Sequence, residues 1–212
     1  SNNEISLYRQ SLPSVEEAAI RPLSVMVVGQ VNAGKSSLIN VLKEQSVTEV
    51  DVLPSTTGFH HYNLSISKDL TITLMDSPGL DGDNSVARSL LGEATKTDLL
   101  IWVSQANQPA KSLDKKLLDE WDHYFNKNLR RKKPPVLLVT THNDMLKPKG
   151  SWHPPYDLND MDDKKAQSIV TASRYTRETL GLADDEPVVP IALKPGEVAY
   201  NIDTLRDILL SL

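Results

Sequence analysis

The run Gly29–Ser36, which reads Gly-Gln-Val-Asn-Ala-Gly-Lys-Ser, constrains the fold more than any other part of the chain. It matches G-x-x-x-x-G-K-[ST], the pattern of a phosphate-binding loop. The valine-rich run Leu23–Val28 before it is typical of a buried strand, and Ser37–Leu42 after it has the apolar spacing of a helix start. The order of strand, glycine-rich loop and helix predicts an α/β sheet with a phosphate site at one edge.

The residue types of this loop suit a nucleotide triphosphate. Backbone N–H groups and the positive end of the following helix converge on the phosphates, and Gly29 and Gly34 allow their close approach. Lys35 is expected to reach the β- and γ-phosphates, and the Ser36 hydroxyl is expected to bind Mg²⁺. The predicted phosphate-binding residues are Gly29, Gln30, Val31, Asn32, Ala33, Gly34, Lys35, Ser36 and Ser37.

A second motif follows an alternating apolar run, Leu70–Met75, and reads Asp76-Ser77-Pro78-Gly79. Open α/β sheets bind ligands at the carboxyl ends of their strands, where Asp76 is predicted to lie. We expect Asp76 to hold Mg²⁺ through water and Gly79 to donate its N–H to a γ-phosphate. Alone, D-x-x-G is as often a turn, but its place after a strand and a phosphate loop favours a nucleotide switch.

Between these motifs, residues 51–58 are polar and contain Pro54 and Gly58, which predicts a loop. Thr57 there is expected to give Mg²⁺ a second hydroxyl, and an ordinary Thr-Thr-Gly turn is the alternative. Beyond it, two runs alternate in hydrophobicity on either side of Lys68-Asp69, which predicts an antiparallel hairpin and therefore a mixed sheet.

Selection of the base is predicted from two further strands. Val136–Thr140 reads as a buried strand and leads into Thr141-His142-Asn143-Asp144. A carboxylate at Asp144 would accept hydrogen bonds from guanine N1–H and the 2-amino group, donors that adenine does not present in this arrangement. Val188–Leu193 reads as the last strand, and a backbone N–H at its end, at Ala192 beside Leu193, is expected to contact the base edge.

These five motifs in this order resemble a small GTPase domain of the translation-factor class, and within it the Era-like and HSR1-related branch. Asn32, Pro54-x-Thr56-Thr57 and Asp76–Leu80 carry the resemblance, which covers roughly residues 22–211. It implies a three-layer α/β fold, a P-loop NTPase G domain whose mixed, mostly parallel sheet has one antiparallel edge hairpin and is flanked by helices. It also implies that Lys35, Thr57 and Gly79 are catalytic and that Ser36, Thr57 and Asp76 serve Mg²⁺.

The resemblance has two consequences for hydrolysis. In potassium-stimulated members, an asparagine matching Asn32 helps to bind K⁺ beside the phosphates, where the cation neutralises transition-state charge. The alternative is that Asn32 only completes the hydrogen bonds of the loop. Leu80 occupies the place of the glutamine that orients the attacking water in Ras-like proteins. Leucine cannot orient water, so slow intrinsic turnover is expected unless a cation, a partner or dimerisation completes the site.

The base motif departs from the family pattern N-K-x-D, because Thr141 replaces the asparagine and His142 replaces the lysine. An imidazole can stack on a base, although with a geometry different from that of a lysine stem. Asp144 keeps guanine as the expected base. A register in which Asn143 is the motif asparagine leaves no aspartate at the right offset.

Composition excludes some functions and leaves others open. The chain has 212 residues and no cysteine, which excludes disulfides and thiol catalysis and is compatible with a reducing cytosol. A net charge of −5 argues against broad nucleic-acid binding. We expect an N-terminal extension or short helix at 1–21 and a G domain at 22–212, in a cytoplasmic protein. Whether the chain is a fragment of a longer protein stays open, as does a place for that longer protein at the cytoplasmic face of a membrane.

Three other segments carry weaker signals. Lys111–Lys127 predicts an amphipathic helix that buries Leu113, Leu117, Leu118, Trp121 and either Tyr124 or Phe125. Arg130–Lys133 is a basic cluster that suits RNA or anionic lipid, but a solvated turn before a strand is favoured. Residues 147–163 form a proline-rich segment around Trp152, which is expected to pack on its neighbours rather than on a partner.

The sequence therefore predicts a Mg²⁺-dependent domain that binds and hydrolyses GTP slowly, with K⁺ stimulation at Asn32 as an open question. The alternative is a nucleotide-dependent interaction module, like dynamin-like or septin-like G domains, with little hydrolysis. An ATPase is a weaker alternative. GTP and GDP are the expected ligands. A protein, ribosome, RNA or membrane contacted through regions outside this chain, and a nucleotide-dependent homodimer, stay open.

Overall fold

The computed structural model describes residues 22–48, 50–53 and 58–211. Its seven strands form one mixed sheet in the order β2-β3-β4-β1-β5-β6-β7. The strands are β1 (Leu23–Val28), β2 (Asp51–Leu53), β3 (His60–Ser65), β4 (Thr71–Asp76), β5 (Leu99–Gln105), β6 (Val136–Thr141) and β7 (Val188–Pro190). The α-helices are α1 (Lys35–Glu44), α2 (Asn84–Ala94), α3 (Ser112–Tyr124), α4 (Lys164–Leu180) and α5 (Ile202–Leu210).

The predicted three-layer fold with a mixed, mostly parallel sheet is confirmed. Strand β1 lies parallel to both β4 and β5, and β6 continues the parallel set on the far side of β5. The central strands β1, β5 and β6 are buried on both faces, as their near-continuous apolar runs predict. The carboxyl ends of these strands meet at one edge, so the loops that follow them are neighbours in space.

The two faces of the sheet are covered by different helices. On one face, side chains of β1 such as Val25 and Val27 pack with Leu38 of α1 and Leu205 of α5. On the other face, Met26 and Val28 pack with α2, α3 and the last residue of α4. The alternation of β1 between the two clusters follows from the two-residue period of a strand, so one run of valines supports both layers.

The antiparallel hairpin is confirmed, because β3 pairs antiparallel with β4 in the register Leu64 to Ile72. Its position at the edge of the sheet is wrong, because β2 pairs with β3 and forms the edge. Residues 51–53 were expected to be loop. Strand β2 has only three residues and Val52 is 65% exposed, so its sequence carries no buried period that would reveal a strand.

Two other elements differ in length from the prediction. Strand β7 ends at Pro190 rather than Leu193, and Ala192 instead forms an isolated bridge with Tyr200. Helix α3 ends at Tyr124 and continues as a π-helical turn, Phe125–Leu129. The π-turn keeps Phe125 in the core while Tyr124 stays only partly buried. The predicted N-terminal helix lies outside the described residues.

Candidate functional site

The phosphate-binding loop leaves β1 at the carboxyl edge of the sheet and enters α1, as predicted. Asn32 and Gly34 adopt left-handed backbone angles, with φ of 63° and 98°. Glycine tolerates this conformation, and Gly34 caps the N-terminus of α1, where unpaired N–H groups face an incoming anion. Gly29 is required by space, because a Cβ there would stand 2.2 Å from the Val103 carbonyl oxygen in β5.

Lys35 is buried, although it is charged. Its ammonium donates to the carbonyl oxygens of Gly29 and Gln30, each at 3.0 Å, and therefore bonds back to the first two residues of its own loop. Burial lowers the pKa of Lys35, and the carboxylates of Asp76 and Asp114 partly oppose that shift. A phosphate entering the loop would be a better acceptor for this ammonium than two neutral carbonyls.

Asp76 ends β4 beside this lysine, and Gly79 lies three residues further on. Burial raises the pKa of Asp76, while Lys35 and then His60 act in the opposite direction. A Cβ at Gly79 would stand 2.7 Å from Cγ2 of Val31, so the segment Asp76–Gly79 approaches the phosphate loop as closely as glycine allows. Two backbone hydrogen bonds of 3.1 Å join the segments, Leu80 N–H to Gly29 and Val31 N–H to Leu80.

A network of polar side chains from β5 and α3 holds the phosphate loop, and no pattern in the sequence predicts it. The amide of Gln30 donates to the Ala110 carbonyl at 3.1 Å and to the carboxylate of Asp114, which is 1% exposed. The indole of Trp102 donates to the other oxygen of Asp114 at 2.8 Å. The Gln105 amide donates to the Asn32 carbonyl at 2.7 Å, so the loop is pinned from β5 and α3.

The base motif meets the phosphate loop through Thr141. The Thr141 hydroxyl lies 2.7 Å from the Ala33 carbonyl oxygen and 2.8 Å from Nδ1 of His142. A hydroxyl has one hydrogen, and the carbonyl must accept it, so Nδ1 of His142 must be the donor in the second bond. This assigns the Nδ1–H tautomer to a neutral His142 and leaves Nε2 as an acceptor. The Thr141 hydroxyl therefore joins the base motif to the phosphate loop.

Asn143 is fully buried and does not face the cavity. Its amide nitrogen donates to the carbonyls of Thr140 and Ile191, at 2.7 and 2.8 Å, and so joins β6 to the segment after β7. This use of its donors agrees with the register in which Thr141, and not Asn143, occupies the first position of the base motif.

A cavity of about 530 Å³ lies between the two motifs. It is lined by Asn32, Gly34, Lys35, Ser36, Ser37, Thr141, His142, Asp144, Met145, Leu193, Lys194 and Pro195. Nine of these twelve were named from the sequence, and Met145, Lys194 and Pro195 were missed. Their only sequence signal is adjacency to Asp144 and Leu193.

The remaining predicted residues lie around the cavity rather than on its lining. Gly29, Gln30 and Ala33 contribute carbonyls to the contacts above, and Val31 packs on Gly79. Ala192 is buried, and its carbonyl accepts from the Tyr200 N–H at 2.9 Å. Its predicted contact with the base stays a prediction. Thr57 and Pro54–Thr56 lie outside the described residues.

The basic cluster Arg130–Lys133 and the proline-rich segment around Trp152 both make contacts with neighbouring residues of the chain. In the basic cluster, Arg131 donates to the Thr95 carbonyl and packs over Phe125, and Lys133 pairs with Asp122 at 2.9 Å. Trp152 packs against Tyr156 and Tyr200, with ring centroids 5.2 Å away in each case, as expected for an inserted segment that packs on its neighbours. Within the part of the chain that the structure describes, no helix is long and apolar enough to cross a membrane.

The sheet order, the anchored phosphate loop and a cavity that reaches Asp144 define the fold of a phosphate-loop G domain. Residues 24–142 match the 50S ribosome-binding GTPase family, MMR_HSR1, and the chain belongs to that family.

Relatives and a solved structure agree with this family. The chain is 23% identical to GTPase Era of Clostridium botulinum over 190 residues, covering 87% of this chain and 54% of that protein. It is 26% identical to GTPase Der of Chlamydia pneumoniae over 179 residues, covering 80% of this chain and 35% of that protein. The G domain of the T. maritima FeoB iron transporter superposes with a TM-score of 0.52 at 25% identity, over 90% of this chain and 98% of that one. The chain thus spans about half or less of the length of the Era and Der relatives.

Proposed function

We propose that the chain is a Mg²⁺-dependent guanine-nucleotide switch with slow intrinsic hydrolysis of GTP. The observation that carries this proposal is the single cavity with Lys35 and Ser36 at one end and Asp144 at the other. The Thr141 hydroxyl, which bonds to the Ala33 carbonyl, joins the phosphate-binding loop to the segment that carries Asp144, a carboxylate suited to guanine.

The side chains at the phosphate end fit Mg²⁺. Ser36 offers a hydroxyl at the start of α1 and Asp76 a carboxylate at the end of β4, both hard oxygen donors. Among the described residues, no three His, Cys, Asp or Glu side chains group as a metal site. Mg²⁺ would therefore depend on nucleotide phosphates together with Ser36, Asp76 through water, and Thr57, and it would neutralise charge on the transferred phosphoryl group.

The switch follows from the pairing of Leu80 with the phosphate loop. Leu80 N–H and C=O bond to Gly29 and Val31, so a γ-phosphate that contacts Gly79 would act on a segment already attached to the loop. Loss of that phosphate would remove the contacts that order the loops around Thr57 and Leu80. K⁺ at Asn32 would add positive charge beside the phosphates, and its exposed position on the cavity wall supports access by a cation.

The test is calorimetric titration of the chain with GDP and with ADP, in Mg²⁺ and KCl. Tight GDP binding with no ADP binding is the expected result, and equal binding would reduce the assignment to a phosphate-loop protein of unknown nucleotide. Lys35→Ala is expected to abolish tight binding. Asp144→Asn is expected to shift preference toward xanthosine diphosphate, because an amide can donate to the 2-oxo group that replaces the guanine amine.

A second candidate, a nucleotide-dependent interaction module with negligible turnover, is favoured by one observation. The side chain of Leu80, in the position of a water-orienting residue, is 5% exposed and packs in the core. Steady-state turnover of GTP in K⁺ and in Na⁺ separates the two candidates. Turnover that rises in K⁺ supports the switch, whereas binding without turnover in either salt supports the module. Contact with RNA, ribosomes or a membrane would belong to the full-length protein.

A further inference from the structure

Lys165 is a buried cation that lies outside the phosphate site. It lies in the first turn of α4, is 2% exposed, and donates to the backbone carbonyls of Asp144, at 2.9 Å, and Leu146. A buried ammonium is costly unless its donors are used, and here two of three go to the loop that carries the predicted base-reading carboxylate. Asp163 caps the same turn by accepting hydrogen bonds from the backbone N–H groups of Lys165 and Ala166. This cap defines the start of α4 and therefore the position of Lys165 in its first turn.

The third side of the ammonium faces an aromatic cluster, which we define as Trp152, Tyr156 and Tyr200. The Lys165 nitrogen lies 5.5 Å from the centre of the Trp152 ring, within the range of a cation–π contact. Trp152 contacts both tyrosines, and the Tyr156 hydroxyl accepts from the His153 N–H and donates to the Ser151 carbonyl. The segment 147–163 therefore has a defined shape that presents Trp152 to Lys165.

Tyr200 connects the cluster to the other loop of the cavity. Its backbone N–H donates to the Ala192 carbonyl at 2.9 Å, one residue before Leu193 on the cavity lining. A continuous chain of contacts thus runs from the Asp144 loop through Lys165 and the aromatic cluster to the Ala192–Leu193 loop. The cavity lining does not include the side chains of Lys165, Trp152, Tyr156 or Tyr200.

We propose that Lys165, backed by the aromatic cluster, is a positioning residue for base selectivity that holds the Asp144 loop and the Ala192–Leu193 loop at the separation guanine requires. The inference rests on the proposed recognition of guanine by Asp144. It gives a role to the segment 147–163 in a chain whose base motif lacks the family lysine. Lys165 acts from behind the loop, on backbone carbonyls, and so orients the carboxylate without touching the nucleotide.

The decisive variant is Lys165→Met, which keeps the stem and removes the donors, and its matched control is Lys164→Met on the neighbouring exposed residue. Affinities of the 212-residue chain for GDP, ADP and inorganic pyrophosphate are measured by competition against a fluorescent GDP analogue, in Mg²⁺. We expect Lys165→Met to weaken GDP binding roughly tenfold, the scale of one hydrogen bond to a charged group, and to leave pyrophosphate binding unchanged. Lys164→Met should match the wild type for all three ligands.

A purely structural role would lower GDP and pyrophosphate affinity together, or neither, so a wild-type ratio of the two affinities in Lys165→Met overturns the proposal. Lys165→Arg, which keeps a cationic donor at this position, is expected to have a ratio of GDP affinity to pyrophosphate affinity close to that of the wild type. If Lys165→Met does not fold, Trp152→Leu is judged by the same ratio. A wild-type chain that binds GDP and ADP equally would instead refute guanine recognition itself, and the role of Lys165 would fall with it.

Discussion

Thr141 makes the contact that holds the two halves of the nucleotide cavity together, and Thr141→Val tests that role. Valine keeps the shape of threonine and removes only the hydroxyl. The hydroxyl makes two hydrogen bonds, to the Ala33 carbonyl and with Nδ1 of His142, at a position that is 2% exposed. The perturbation is therefore confined to polar contacts, at a side chain that is almost fully buried on the wall of the cavity.

The expected magnitude follows from those two bonds. Each is worth about 1 kcal/mol net, and an acceptor left unpaired in a buried place costs about 1–3 kcal/mol. We expect the free energy of unfolding to fall by about 2–3 kcal/mol, which lowers Tm by about 4–12 °C for a domain of this size. Affinity for GDP should fall by about tenfold, because the Asp144 loop is no longer tied to the phosphate loop.

The assays are urea denaturation and GDP titration, each with Thr171→Val as the control. Thr171 is exposed on α4, and a surface substitution of this kind changes stability by no more than about 0.5 kcal/mol. A Thr141→Val chain with the stability and GDP affinity of the wild type would show that the hydroxyl does not join the two loops. Loss of stability with wild-type affinity would restrict its role to folding.

Two further predictions concern the phosphate loop. Gly29→Ala places a Cβ 2.2 Å from the Val103 carbonyl oxygen, so we expect the free energy of unfolding, measured by urea denaturation, to fall by roughly 3 kcal/mol. The control is Gly92→Ala, whose Cβ would have nothing within 4 Å and which should be neutral or stabilising. Because burial lowers the pKa of Lys35, GDP affinity should begin to fall at a pH below the ordinary lysine range, as the ammonium loses its proton. Over the same rise in pH the nucleotide-free protein loses the cost of burying that charge, so Lys35 should contribute a rise in its stability. GDP affinities of the wild type across alkaline pH check the first expectation, and melts of the nucleotide-free wild type against Lys35→Ala, which lacks this titration, check the second.

The sequence was most informative where function constrains the backbone. The glycine spacing of the phosphate loop and the D-x-x-G after a strand predicted the edge of the sheet where the site lies, because only certain residues allow a phosphate to approach the main chain. The buried runs of β1, β5 and β6 were equally clear, since strands covered on both faces need continuous apolar sequence.

The sequence was least informative where a residue acts through distant partners. Asp114 and Lys165 are buried charges whose partners are 84 and 21 residues away in the chain, and no local pattern marks them. Strand β2 was missed for a different reason: it is short and mostly exposed, and its observed partner is β3. Contacts of this kind depend on tertiary packing, which periodicity and propensity do not encode.

Leu80 shows how the structure changes the meaning of a sequence position. A leucine in place of the glutamine of Ras-like proteins suggests that restoring Gln would restore the orientation of water. In this fold the Leu80 side chain packs in the core with Met26 and Val28 and is 5% exposed, while its backbone is held by Gly29 and Val31. A glutamine there would bury an amide without partners instead of presenting it to the cavity.

We therefore expect Leu80→Gln to leave GTP turnover no faster than in the wild type and to lower the free energy of unfolding by about 2–4 kcal/mol, combining lost apolar burial with an unpaired amide. Leu80→Met, which keeps the apolar volume, should cost less than about 1.5 kcal/mol and serves as the control. Turnover is measured per folded molecule, at a temperature where both variants are native. A Leu80→Gln chain that hydrolyses GTP tenfold faster than the wild type would refute this reasoning, because it would mean that the side chain leaves the core and that the missing amide is what slows turnover in this domain.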